Sequence, residues 1–139
     1  MDDVMDDTVE LQALPIVQVI DDAVMPPKRA EGTDDLEAVY PIVEMFHSVQ
    51  GEGFHAGTSS IFIRFGGCNL ACPWCDTEFD KWTNMTLREL IGVMEPMPCK
   101  RIVLTGGEPA LQDLECLGRV LKPLGYSLAI ETNGTIVLP

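Results

Sequence analysis

Three cysteines stand in one short stretch, Cys68-Asn69-Leu70-Ala71-Cys72-Pro73-Trp74-Cys75, spaced C-x3-C-x2-C. Thiolates so close in sequence can hold three corners of a cubane iron–sulfur cluster from one loop and leave one iron without a protein ligand. An open metal position is where a cofactor or substrate coordinates, so the spacing points to chemistry. Two other readings stay open on spacing alone. Zinc needs a fourth ligand, which Cys99, Cys116, His47 or His55 could supply, and the thiols could bind no metal at all.

Other segments carry polar chemistry. In Gly106-Gly107-Glu108-Pro109 the glycines let backbone approach a ligand closely, and Glu108 can accept hydrogen bonds from an ammonium group. The bland alternative is a tight turn with a solvated acid. Asp76-Thr77 offers a carboxylate and a hydroxyl to a hard cation such as Mg2+, or simply a turn. Ser48-Val49-Gln50-Gly51-Glu52-Gly53 could present backbone groups to a planar heterocycle, or be a plain loop. Arg64 lies inside an apolar run, and a buried arginine needs either a salt bridge or an anionic ligand.

These residues need elements to position them. Residues 60–65 form an apolar run that predicts a buried strand, with the cysteine segment directly after it. Thr86 and Glu89 have the spacing of a capping box. Leu87, Leu90, Ile91 and Met94 then fall on one helical face, which Pro96 and Pro98 end. Residues 101–105 predict a second strand. Leu111, Leu114, Leu117 and Leu121 make a second helical stripe, and residues 126–131 a third strand. The order β-α-β-α-β predicts an α/β fold with parallel neighbouring strands. The segments 68–75, 106–109 and 131–135 each follow a strand's C-terminal end. In a parallel α/β sheet or barrel those ends share one face, where sites are built.

Composition narrows the classes. The chain has 139 residues, enough for one domain with its own core. A net charge of -13 and a pI near 4.3 disfavour nucleic acid or an anionic membrane as partner. Residues 1–38 mix acidic clusters with Pro15, Pro26 and Pro27 and are expected to be a disordered extension, in which the run 11–20 could instead add a strand or helix. Residues 39–139 are the organised part. The apolar run 11–20 is too short to span a bilayer, and the acidic start is unlike a secretory signal. Five cysteines, three of them crowded together, do not suggest a disulfide framework, so a reducing cytoplasm is expected.

Together, Phe65-Gly-Gly-Cys-Asn-Leu-Ala-Cys-Pro-Trp-Cys75 and Thr105-Gly-Gly-Glu-Pro109 resemble the radical S-adenosylmethionine (SAM) superfamily. Within it, Tyr40-Pro-Ile-Val-Glu-Met-Phe46, Ser48-Val-Gln-Gly-Glu-Gly53, Cys75-Asp-Thr77 and Glu131-Thr-Asn-Gly-Thr135 are similar to the 7-carboxy-7-deazaguanine synthases. The resemblance covers roughly residues 40–139. It implies a partial (β/α) barrel, a [4Fe–4S] cluster on Cys68, Cys72 and Cys75, and SAM on the open iron. SAM would be cleaved to methionine and a 5′-deoxyadenosyl radical. The radical would take hydrogen from 6-carboxy-5,6,7,8-tetrahydropterin, whose ring contracts with loss of ammonia to 7-carboxy-7-deazaguanine, a queuosine precursor.

Carried over by position, Val49, Gln50, Gly51, Arg64, Thr105 and Glu131 would contact the pterin, with Arg64 at its carboxylate and Glu131 at its amidine-like edge. Trp74, Gly106, Gly107 and Glu108 would contact SAM. Thr77 would ligate Mg2+ beside the substrate carboxylate. An electron donor such as flavodoxin, and a homodimer, are implied as partners. The family continues beyond this chain's Pro139 with more strands, a Ser-Pro-Lys type segment and a C-terminal substrate contact. The chain is therefore expected to be the N-terminal portion of the domain, a truncated sequence or half of a split protein, with the third strand as an open edge. The rivals are an activase of glycyl-radical enzymes, which would share the cluster but act on a protein, and an inactive iron–sulfur or zinc fragment.

Overall fold

The computed structural model describes residues 18–24, 34–71 and 81–139, with the backbone alone at 18–24, 70 and 71. Its frame grows from strand β3 (Ser59–Phe65). Along β3 every second side chain, Ile61, Ile63 and Phe65, is fully buried, while Phe62 and Arg64 are half-buried on the opposite face. That alternation is the two-residue period of a strand. Strand β6 (Arg101–Gly106) lies parallel to β3, and β7 (Ser127–Ile130) lies parallel to β6. These are the three expected strands in the expected parallel arrangement.

Two antiparallel strands extend this core beyond the expectation. β2 (Val39–Val49) forms a hairpin with β3, and β5 (Thr83–Thr86) pairs with the other side of β2. The sheet order is β5-β2-β3-β6-β7. Ser48 and Val49, read from sequence as part of a polar loop, are the last rungs of β2, paired with Ser60 and Ser59. β2 also carries an irregularity in register between Ile42 and Glu44. One extra residue there switches the side-chain alternation. Tyr40 and Ile42 before it, and Met45 after it, thus all reach the core.

Both helices cover one face of the sheet. α1 (Leu87–Met94) begins with the predicted capping box: the Glu89 N–H donates to the Thr86 hydroxyl at 3.2 Å, and the Thr86 N–H donates to the Glu89 carboxylate at 2.7 Å. α2 (Leu114–Leu121) starts later than its leucine stripe suggests. Pro109–Leu111 makes a separate 3-10 turn, Gln112 is extended, and the Asp113 side chain then caps α2 through the Cys116 N–H at 2.9 Å. Leu87, Leu90, Met94, Leu117 and Leu121 bury completely against Tyr40, Ile61, Ile63 and Ile102. A short turn before β2, Asp35–Glu37, ties the helices together. Arg119 of α2 makes two hydrogen bonds to Asp35, and Arg88 of α1 makes one to Glu37.

The second face of the sheet carries no helix among the described residues. The hairpin loop 50–58 folds beside it, held by Gln50 N–H to Thr58 O at 2.9 Å and Gly57 N–H to Gln50 O at 2.7 Å. Within the acidic segment 1–38, β1 (Gln18–Val24) pairs antiparallel with β4 (Cys68–Ala71), the start of the cysteine segment. Residues 1–17 and 25–33, on which the expected disorder mainly falls, lie outside the described residues. Among the described residues β7 forms one edge of the sheet. No helix among the described residues is long and apolar enough to cross a membrane.

Candidate active site

The ends of β3, β6 and β7 meet, as the parallel order requires. The chain leaves β3 through Gly66, Gly67 and Cys68, and the Gly106-Gly107-Glu108 turn packs directly on it. The Gly107 N–H donates to Phe65 O at 3.1 Å, and the Glu108 N–H donates to Gly67 O at 2.9 Å. Gly106 has φ +136°, a conformation side chains rarely take, and a Cβ there would overlap the Phe65 backbone. A Cβ on Gly107 would overlap the Gly67 carbonyl and crowd Cys68 Cβ at 3.0 Å. The glycine pair therefore serves backbone-on-backbone contact, and that contact fixes the buried Cys68 at the mouth of the sheet.

The segment after β7 completes the junction. Asn69 donates to the Thr135 hydroxyl at 2.9 Å and accepts from the Asn133 side chain at 3.1 Å. Glu108 is fully buried. Its carboxylate accepts from the Ala110 N–H at 3.0 Å, the Asn133 N–H at 2.8 Å and the Thr132 hydroxyl. A carboxylate has about four acceptor positions, and protein donors occupy three of them. Glu108 is thus first a weld between two loops, a role its sequence neighbours do not reveal.

A cleft of about 480 Å³ opens on the uncovered face beside this junction. Gln50, Gly51, Arg64, Thr105 and Glu131 line it, and Gly106 shares its wall. Five of the six residues expected at the substrate are thereby brought together. The sixth, Val49, is not among them: it ends β2 and is 60% exposed. Gln50 is buried and donates to Glu131 at 3.1 Å, and its own oxygen accepts from the Glu52 N–H at 3.2 Å. Arg64 donates from Nε to Glu44 at 2.7 Å. The salt-bridge alternative for Arg64 therefore holds, and Arg64 also lines the cleft.

Sequence reasoning missed Phe46 and Phe62, which also line the cleft together with Glu52 of the segment 48–53. The two rings stack at 5.2 Å with planes 9° apart. The signal for them is their cross-strand pairing, which needs the hairpin register to be seen. In sum, the cleft sets a guanidinium, a carboxylate, an amide and aromatic faces around a small space. That set suits a flat heterocycle with an acidic substituent and N–H groups to donate.

Cys72, Trp74, Cys75, Asp76 and Thr77 lie outside the described residues. Of the alternative zinc ligands, Cys116 is buried within the helix–sheet core, with its thiol 3.8 Å from Asp35 O. His47 shares a 2.6 Å hydrogen bond with Ser59. Among the described residues no group of three or more His, Cys, Asp or Glu is placed to hold a metal. The close packing of Gly107 on Gly67 and Cys68 fixes where the cysteine segment begins.

Comparison with known proteins agrees with this geometry. Residues 62–138, more than half of the chain, match the model of the radical SAM superfamily. A 7-carboxy-7-deazaguanine synthase of Haemophilus influenzae is 44% identical over 106 residues, covering 76% of this chain and 50% of that protein. One of Bacteroides thetaiotaomicron is 48% identical over 98 residues, covering 70% and 54%. The crystal structure of QueE from Escherichia coli superimposes with a TM-score of 0.70 at 33% identity, covering 77% of this chain and 59% of that one. The chain spans about half the length of the curated relatives it matches.

Proposed function

The chain belongs to the radical SAM superfamily, and from that premise we propose that it carries the cluster loop and substrate cleft of a 7-carboxy-7-deazaguanine synthase. The reaction is the ring contraction of 6-carboxy-5,6,7,8-tetrahydropterin to 7-carboxy-7-deazaguanine, with loss of ammonia. One observation supports this reading most: Gln50, Arg64, Thr105 and Glu131, from separate parts of the chain, share one small cleft beside Gly106. A cleft of this size suits a small molecule better than a glycyl-radical protein.

The residues divide the work as follows. Cys68, Cys72 and Cys75 would hold the [4Fe–4S] cluster, and Trp74, Gly106, Gly107 and Glu108 would hold SAM. Bound there, cluster and SAM supply radical abstraction of a hydrogen atom; the hard chemistry is theirs and the protein orients it. Arg64 would take the pterin carboxylate, a match of planar charged groups. Glu131, steadied by Gln50, would accept from the amidine-like edge. Thr77 would ligate Mg2+ and offset charge near that carboxylate. A flavodoxin-type reductant and a homodimer belong to the same proposal.

The test is SAM cleavage by the anaerobically reconstituted, reduced chain. Methionine release and 7-carboxy-7-deazaguanine, read by mass spectrometry, are expected only when the carboxytetrahydropterin is added. SAM cleavage that ignores the pterin and responds to a glycyl-radical protein would overturn the reading.

A further inference from the structure

Glu44 sits on β2 directly across from Arg64 on β3. The register irregularity just before it turns Glu44 to the Arg64 side while Met45 keeps to the core. Its side chain is half exposed and does not line the cleft, yet Oε1 accepts from Arg64 Nε at 2.7 Å. An exposed pair of this kind contributes little to stability. Its geometric effect is larger. Arginine has a long, rotatable stem, and a bond at Nε fixes the inner edge of the guanidinium. Among the described residues no hydrogen bond engages the two Nη groups. These carry the remaining donors of the fork that carboxylates bind. Glu52 and Glu131 line the same cleft and would compete for that fork. Anchorage at Glu44 limits the orientations open to the guanidinium.

We propose that Glu44 is a positioning residue, which holds Arg64 by Nε so that its outer edge receives a ligand carboxylate. The inference rests on the reading of the cleft as a pterin site and adds a residue to which the motifs assign no role. It separates alignment from charge. Gln at position 44 still accepts from Nε, so alignment survives without the charge; Ala removes both.

The experiment titrates the full chain with 6-carboxypterin and with unsubstituted pterin, following their fluorescence. The wild type is expected to prefer 6-carboxypterin. Glu44→Ala should reduce that preference roughly three- to tenfold, the scale of ordering one flexible side chain, and leave pterin affinity unchanged. Glu44→Gln should keep it. Arg64→Ala should abolish it, and adding Glu44→Ala should then change nothing further. If Glu44→Ala does not fold by circular dichroism, Glu44→Thr, a strand former too short to reach Nε, replaces it. An unchanged preference in Glu44→Ala, an equal loss for both pterins, or a Gln variant as weak as Ala overturns the role of Glu44 alone. A wild type that takes both pterins alike, or neither, overturns the carboxylate role of Arg64 and this proposal with it.

Discussion

At Gly107 a single hydrogen atom decides whether the cysteine segment can sit where it does. Any side chain there meets the Gly67 carbonyl and Cys68, and both neighbours are backbone or its first carbon, which cannot swing aside. Gly107→Ala is therefore expected to displace Cys68 and sharply reduce iron uptake on reconstitution, while far-ultraviolet circular dichroism keeps its helical signal. Full iron uptake in that variant would contradict the packing argument. The motif Gly106-Gly107-Glu108 was legible as a functional turn, but its physical purpose was not. Sequence shows glycines and an acid; only the fold shows that they touch Phe65, Gly67, Thr132 and Asn133. Likewise Arg64 stood out as a charge in an apolar run and Gln50 and Gly51 as a polar segment, while Thr105 and Glu131 were named as substrate contacts through resemblance; the places of Glu44, Phe46 and Phe62 needed the β2–β3 register.

Among the elements, those with a strong local code were readable. β3, β6 and β7 are short apolar runs, and α1 announces itself with a capping box. β2 was not readable, because Pro41 and the irregular register break its alternation and its end is polar. β5 is four mostly polar residues, Thr83–Thr86, which no strand pattern marks. The cap itself can be tested. Thr86→Ala should destabilise the chain by about 1 kcal/mol, the usual loss for a threonine cap, read by urea unfolding. Hydrogen bonds from Thr86, the backbone N–H first, hold the Glu89 carboxyl below its ordinary range. Its contribution is therefore present above that range and lost as pH falls through the lowered value. The stability gap between wild type and Glu89→Gln should accordingly narrow on acidification and be constant from neutral pH upward. A gap that widens in acid would refute this.

On the scale of the whole molecule, the fold separates two tasks by face. Helices α1 and α2 pack one face of the sheet into a dry core, and the other face is left to the hairpin loop and the cleft. The parallel order of β3, β6 and β7 then delivers three segments, far apart in sequence, to one end. This much followed from the β-α-β-α-β pattern alone, since strand ends in parallel sheets share a face. That the second face would be flanked by an antiparallel hairpin did not follow, because the hairpin lies outside the repeating unit. The central claim is that this arrangement presents three thiolates to an iron–sulfur cluster with an open iron. The direct measurement is anaerobic reconstitution with iron and sulfide, with metal analysis and electron paramagnetic resonance of the reduced protein, with and without SAM. The account predicts about four irons per chain and a spectrum that shifts when SAM is added. One zinc per chain with no cluster formed, or a cluster whose spectrum ignores SAM, would contradict it.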